Sequence, residues 1–321
     1  MAAKSEGPQP QHVLCESATK HDLKGVNPAI SIAAKEGPVV MVYQHWKPGL
    51  HGIANGIYYC QGTLKDKKIT WGTEQTLETE GCSFPKVSIT NDGTAVLVYG
   101  KGTRCYYRTG QMQKNVFTWD PEQMIDEGAH PSVSVSDDKP HVVVVSFITN
   151  NHGYVRVGAV DQSAKKIVWK DDKHEVTADK LEDLTVAINQ KMEAVVAYRT
   201  GMMVSTVHCK TGKVEGGQVV FTGEEAAKVK EVKGYYPSVS INKHGCILLI
   251  FEHMTPMRKI MAHCGVIKKG EVQWKGDTAD NVDSGHKPSV SLTSSGEFVE
   301  VHESHLPVVD QSMFYRIGEL Q

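Results

Sequence analysis

Tyr236-Pro237-Ser238-Val239-Ser240-Ile241 sets a proline ahead of an alternation of small polar and branched apolar residues. That alternation has the period of two of a strand with one buried face. The pattern returns as Asn27-Pro28-Ala29-Ile30-Ser31-Ile32, Phe84-Pro85-Lys86-Val87-Ser88-Ile89, His130-Pro131-Ser132-Val133-Ser134-Val135 and Lys287-Pro288-Ser289-Val290-Ser291-Leu292. A sixth copy, Asp183-Leu184-Thr185-Val186-Ala187-Ile188, keeps the alternation with Leu184 in place of the proline. Successive key positions lie 57, 46, 53, 53 and 51 residues apart, so no repeat is skipped.

Working outward from this first strand, each repeat reads as four short strands. A turn with Gly or Asp follows (Asn91-Asp92-Gly93, His244-Gly245, Ser295-Gly296), then a β-branched run such as Val142–Val145. The third strand is rich in aromatics (Tyr58-Tyr59, Tyr106-Tyr107, Tyr154, Tyr315), and the fourth carries Trp71, Trp119, Trp169, Phe221 or Trp274. Six four-stranded units of about fifty residues are the signature of a radial repeat. The expected fold is all-β: a six-bladed β-propeller of four-stranded antiparallel blades in one domain, residues 1–321. The last repeat stops after its third strand, at Tyr315-Arg316, whereas a strand-like segment, residues 12–17, precedes the first. The N-terminal strand is therefore expected to complete the last blade and close the ring, removing two open sheet edges. Leu14 precedes Pro28 by 14 residues, as Trp71 precedes Pro85, so Leu14 is expected at the tryptophan position. The Glu-, Ala- and Lys-rich stretch 223–233 reads as a helical turn.

Composition narrows the class further. Hydrophobic content of 40% with 22% charged residues suits a chain that buries a core. A net charge of −2 gives no electrostatic footprint for nucleic acid or for an anionic membrane, and no apolar run is membrane-length. Seven scattered cysteines without a Cys-x-x-Cys pair, and a start without an apolar leader, point to reduced thiols and a cytoplasmic protein.

The layout resembles the six-bladed propellers of the sialidases and the propeller lectins. Ser88-Ile-Thr-Asn-Asp-Gly-Thr94 echoes the Ser-x-Asp-x-Gly-x-x-Trp box of the sialidases, without the closing Trp. The resemblance implies a carbohydrate ligand and transfers no catalytic motif. A sialidase holds its substrate carboxylate with three arginines. Arg108, Arg156 and Arg316 share one repeat position here, in mid-strand, and are read as structural.

Strand order brings the starts of the first strands and the ends of the second strands to one face. Eight of the fifteen histidines fall there: His45, His51, His130, His152, His253, His286, His302 and His305. The second-strand ends differ from repeat to repeat, while the apolar residues beside them stay regular. Loops and strand ends carry function more often than scaffold does. The expected ligand site is therefore the mouth lined by Gln44, His45, Arg199, Glu252, His253, His302 and Glu303, taken as exposed strand ends. The expected function is lectin-like binding of a glycan or small molecule, with no nucleic-acid or membrane partner. The alternative is an enzyme with one axial histidine–carboxylate site. A metal there would take His45, His253 and His302 with Glu252 or Glu303. The sequence assigns neither cofactor nor catalytic residue.

Overall fold

A computed structural model describes residues 10, 12–34, 36–46, 54–78, 81–113, 116–170, 172–201, 205–222, 227–255, 257–276, 279–305 and 311–321. Among them are twenty-nine strands and no helix, hence none long and apolar enough to cross a membrane. His51 lies outside the described residues. The strands form a propeller-like ring of antiparallel sheets around a central channel.

Four sheets are five-stranded and one is nine-stranded. In each repeat the first strand pairs with the second, the second with the third, and the third with two short outer segments in succession. In repeat one these are Val26–Ile32, Gly37–Trp46, Ala54–Lys65, and then Lys68–Trp71 and Gln75–Glu78. Repeats four and five share the nine-stranded sheet because Ala227–Ile241 serves both. Its first part pairs with repeat four (Thr206↔Lys233), and its second part is the first strand of repeat five (Ile241↔Ile247). The helical turn expected over 223–233 is thus a strand from Ala227 onward, since edge pairing overrides the helix propensity of Glu, Ala and Lys. Residues 223–226 of that stretch lie outside the described residues.

Val13–Cys15 pairs antiparallel with Ser312–Leu320, with Cys15 opposite Gly318. In the other repeats the glycine of this register faces the outer aromatic: Gly62↔Trp71, Gly110↔Trp119, Gly158↔Trp169, Gly212↔Phe221 and Gly265↔Trp274. A Cβ on Gly110 would stand 2.6 Å from the Trp119 ring, so the close approach requires glycine. Cys15, not Leu14, therefore occupies the tryptophan position. Leu14 faces outward and is 50% exposed, the expected result of a one-residue offset in a strand.

Six buried apolar clusters hold the sheets together, each drawn from two adjacent repeats. One of them joins Val299, Val301 and Ile317 of repeat six to Ile30, Met41 and Tyr43 of repeat one. Around the channel the serines of the first strands add a second system of links. Ser31, Ser88, Ser134, Ser240 and Ser291 Oγ accept the backbone N–H of Ile89, Val135, Ile188, Leu292 and Ile32, respectively, at 3.0–3.1 Å. The serines of the alternation are thus bonds between neighbouring sheets. Ala187 stands at the one position of this belt without a hydroxyl.

All seven cysteines are free, six of them buried. The third-strand cations also tie neighbours together. Arg156 donates to Ile125 O at 2.9 Å and Lys210 to Val176 O at 2.8 Å, and Arg316 bonds Val282 O and Asp283.

Candidate functional site

Every first strand begins with a bulge, at Val26/Ala29, Ser83/Lys86, Ala129/Ser132, Leu181/Asp183, Tyr235/Ser238 and His286/Ser289. In five of them the residue before proline has a left-handed backbone: Asn27 (φ 53°), Phe84 (50°), His130 (51°), Tyr236 (50°) and Lys287 (50°). Bulges re-aim side chains. These five residues, with Asp183 of the proline-free repeat and Lys86, line the channel mouth. His130 stacks on Phe84 at 4.1 Å, and Lys287 Nζ donates to Asn27 Oδ1 at 2.7 Å. Burial lowers the His130 pKa, and it pushes the Lys86 amine down to about 8 against the attraction of Asp183. The mouth cavity measures about 60 Å³, room for a few waters and not for a sugar ring.

The residues expected to line this mouth stand elsewhere. Gln44 is fully buried: it accepts from Phe84 N (3.1 Å) and Asn27 Nδ2 (2.8 Å) and donates to Cys82 O (2.6 Å). Glu303, 1% exposed, accepts Asn27 N at 2.5 Å and lies 3.5 Å from Lys287 Nζ. Both satisfy backbone donors or cations of the strained mouth residues from behind. Arg199 pairs with Asp183 at 2.6 Å, whose Oδ2 also accepts Tyr236 N. His302, 1% exposed, sits 3.1 Å from Glu300 and 3.4 Å from Asp283, beside Arg316. His45 bonds Glu74 at 2.7 Å and packs on Tyr58. The reading of these positions as exposed strand ends fails for Gln44, Glu252, His302 and Glu303, which are buried, whereas His45, Arg199 and His253 are partly exposed. The four buried ones are enclosed because adjacent sheets converge where the second strands end. Among the described residues no three His, Cys, Asp or Glu gather to hold a metal ion, so the set His45, His253, His302 with a glutamate is not assembled.

Glu252 and His253 do come together, in a cleft of about 410 Å³ beside the mouth. Tyr235, Tyr236, Met254, Thr255, Arg258 and His286 complete its walls. Glu252 is buried and holds His286 Nδ1 at 2.5 Å, with Arg258 Nε 3.9 Å from its other oxygen. Tyr236 meets His286 edge-on at 4.9 Å, and Arg199 lies 5.2 Å above the Tyr235 ring. Burial and the nearby Asp183 and Glu252 push the Tyr236 phenol up to about 12, so it stays a neutral donor. The Thr255 hydroxyl is buried without a hydrogen-bond partner, which marks a place for a ligand atom or a water. Sequence reasoning missed Tyr235, Thr255 and Arg258. The available signal was Arg258 itself, one of six arginines in the chain, in a second-to-third-strand connection of repeat five.

No family model and no curated protein matches the chain. Among solved structures it is similar to a protein of unknown function from Dyadobacter fermentans, with 13% identity, a TM-score of 0.64, and coverage of 97% of this chain and 98% of that one. It is also similar to the NanB sialidase of Streptococcus pneumoniae (8%, TM-score 0.60, 97% and 70% covered). The α-L-arabinanase of Penicillium chrysogenum, solved with arabinobiose, gives 10% identity and a TM-score of 0.60, over 97% and 98%. At such identities the likeness is one of fold.

Proposed function

We propose that residues 1–321 form one six-bladed propeller, closed by the N-terminal strand, which binds a carbohydrate in the cleft of repeat five. Six first strands, six inter-repeat clusters and the pairing of Val13–Cys15 with Ser312–Leu320 support the architecture. The observation that carries the binding reading is the makeup of the cleft. Two tyrosine rings offer apolar faces, while Glu252, His286, Arg258 and the unpartnered Thr255 hydroxyl offer polar groups at its walls. Sugars present apolar C–H faces and a rim of hydroxyls, which that mixture matches. The volume lies within the range of about 300–1,000 Å³ for small-molecule sites. The sialidase and arabinanase likenesses point to the same ligand class.

Binding is favoured over hydrolysis because glycosidases generally need two carboxyl groups flanking the bond. Glu252 is the one carboxylate among the described residues that line the cleft. A glycan array followed by calorimetry on the best hit tests the reading. Tyr235→Ala should weaken binding by about tenfold or more, since aromatic contacts of this kind carry roughly 1–2 kcal/mol. Affinity unchanged in both Tyr235→Ala and Arg258→Ala would remove the cleft as the site. Release of reducing ends from the bound glycan, abolished by Glu252→Gln, would move the protein to the enzymes.

A further inference from the structure

The turn between the third and outer strands breaks the repeat once. In four repeats these strands pair across two intervening residues (Lys65↔Lys68, Gln113↔Val116, Glu215↔Gln218, Lys268↔Glu271). In repeat three Asp161 pairs with Lys166 across four, and Asp161 Oδ1 locks the longer turn by accepting Ser163 N, Ser163 Oγ and Ala164 N at 2.6–3.0 Å. The added length carries the turn over repeat two. Gln162 Nε2 donates to Thr94 Oγ1 (2.6 Å) and Gln111 Oε1 (3.0 Å), and Lys165 O accepts Gln123 Nε2 (3.0 Å).

Beneath this overhang is a cavity of about 550 Å³ walled by Asp92, Thr109, Gln111, Asp120, Lys139 and Gln162, among others. Three other seams are occupied at this level. Gly217 lies against the Lys170 side chain, the Thr211 and Thr222 hydroxyls both donate to Gly270 O, and Lys67 reaches Glu319 at 3.5 Å. Asp92 and Lys139 follow the ends of first strands, so the cavity opens on the face opposite the mouth and the cleft.

We propose that this pocket is a second binding site, for a neutral saccharide unit. Its lysines are each matched by a carboxylate, Lys139 with Asp92 at 3.0 Å and Lys165 with Asp120 at 3.5 Å, so the walls select no net charge. Carboxylates, amides and hydroxyls alternate there as acceptors and donors, the requirement of adjacent hydroxyls on one ring. Without an aromatic platform among its walls the site is weaker than the cleft. The two are separate, and either stands if the other fails.

Ligand-observed NMR with the methyl glycosides of glucose, galactose, mannose and arabinose tests the site on the full chain. At least one should receive saturation from the protein and titrate. Asp120→Asn or the surface change Gln162→Ala should weaken that component about tenfold or more. Tyr235→Ala should leave it in place. Absence of transfer to all four sugars would overturn the proposal. So would a titration that Tyr235→Ala abolishes and both pocket variants leave unchanged, although the cleft reading would survive.

Discussion

Asn27, Phe84, His130, Tyr236 and Lys287 hold a backbone that L-residues adopt at a cost of roughly 1–2 kcal/mol each. The cost is borne because side chains of the preceding repeat hold three of the backbone donors: Glu303 that of Asn27, Gln44 that of Phe84 and Asp183 that of Tyr236. The residues that differ most at the strand ends are therefore those that brace the mouth, and variety there reflects what each must brace. Sequence order could place Gln44 and Glu303 beside the mouth, but it could not show the bulge that turns the neighbouring strand's side chains inward. Lys86 carries the clearest titration signal. Channel water reaches it, yet protein surrounds it, and burial brings its amine to about 8 from an ordinary 10.5. Between those values the unfolded chain binds the extra proton, so this group makes stability rise with pH across that window. Below about 8 both states are charged and the full cost of burying the ammonium persists. Lys86→Met should therefore stabilise the protein at neutral pH, with the gain shrinking as pH rises from about 8 to 10.5. Denaturant melts across that range check it, and a pH-independent difference would count against the buried-ammonium account.

At the scale of the strand, the Ser-Val-Ser-Ile alternation was readable because burial on one face imposes a period of two. Its serines were not readable as inter-sheet acceptors, since their partners lie 47–58 residues away in four of the five links and 259 in the fifth. Register was the weaker reading: spacing from proline put Leu14 at the tryptophan position, whereas pairing put Cys15 there. The connection from outer strand to proline varies in length, so counting back from proline drifts, while the glycine opposite the aromatic does not. The seam at Ala187 offers a test of the belt. Ala187→Ser places a hydroxyl where the five others accept, toward Ile241 N, and should add about 0.5–1.5 kcal/mol of stability. Ser134→Ala should remove a similar amount. Chemical denaturation reads both, and equal stability of all three proteins would strip the serines of this role.

For the whole molecule, the six repeats were legible and the site only in part. Glu252 and His253 were named from sequence and share the cleft, but Tyr235, Thr255 and Arg258 join them only through the fold. Val13 belongs to a buried cluster with Leu248, Ile250, Val290 and Phe298, so the first strand is packed as well as paired. Deleting residues 1–17 should uncover that cluster and the edge of Ser312–Leu320 together, lowering the melting temperature of the entire domain. An unchanged midpoint by calorimetry would show that the strand is dispensable.

That same pairing has a consequence for biosynthesis. Val13 meets Leu320, so this strand leaves the ribosome about 300 residues before its partner. At roughly 5–20 residues per second, it waits on the order of 15–60 s for that partner. Throughout the wait the emerging chain offers an unsatisfied edge to chaperones or to a second nascent copy. Docking of this strand must then close a loop of about 300 residues, an entropic step that grows only logarithmically with length. Earlier repeats can dock as they appear, each on its predecessor. Among the described strand pairings, that of Val13–Cys15 with Ser312–Leu320 is the one synthesis order defers longest.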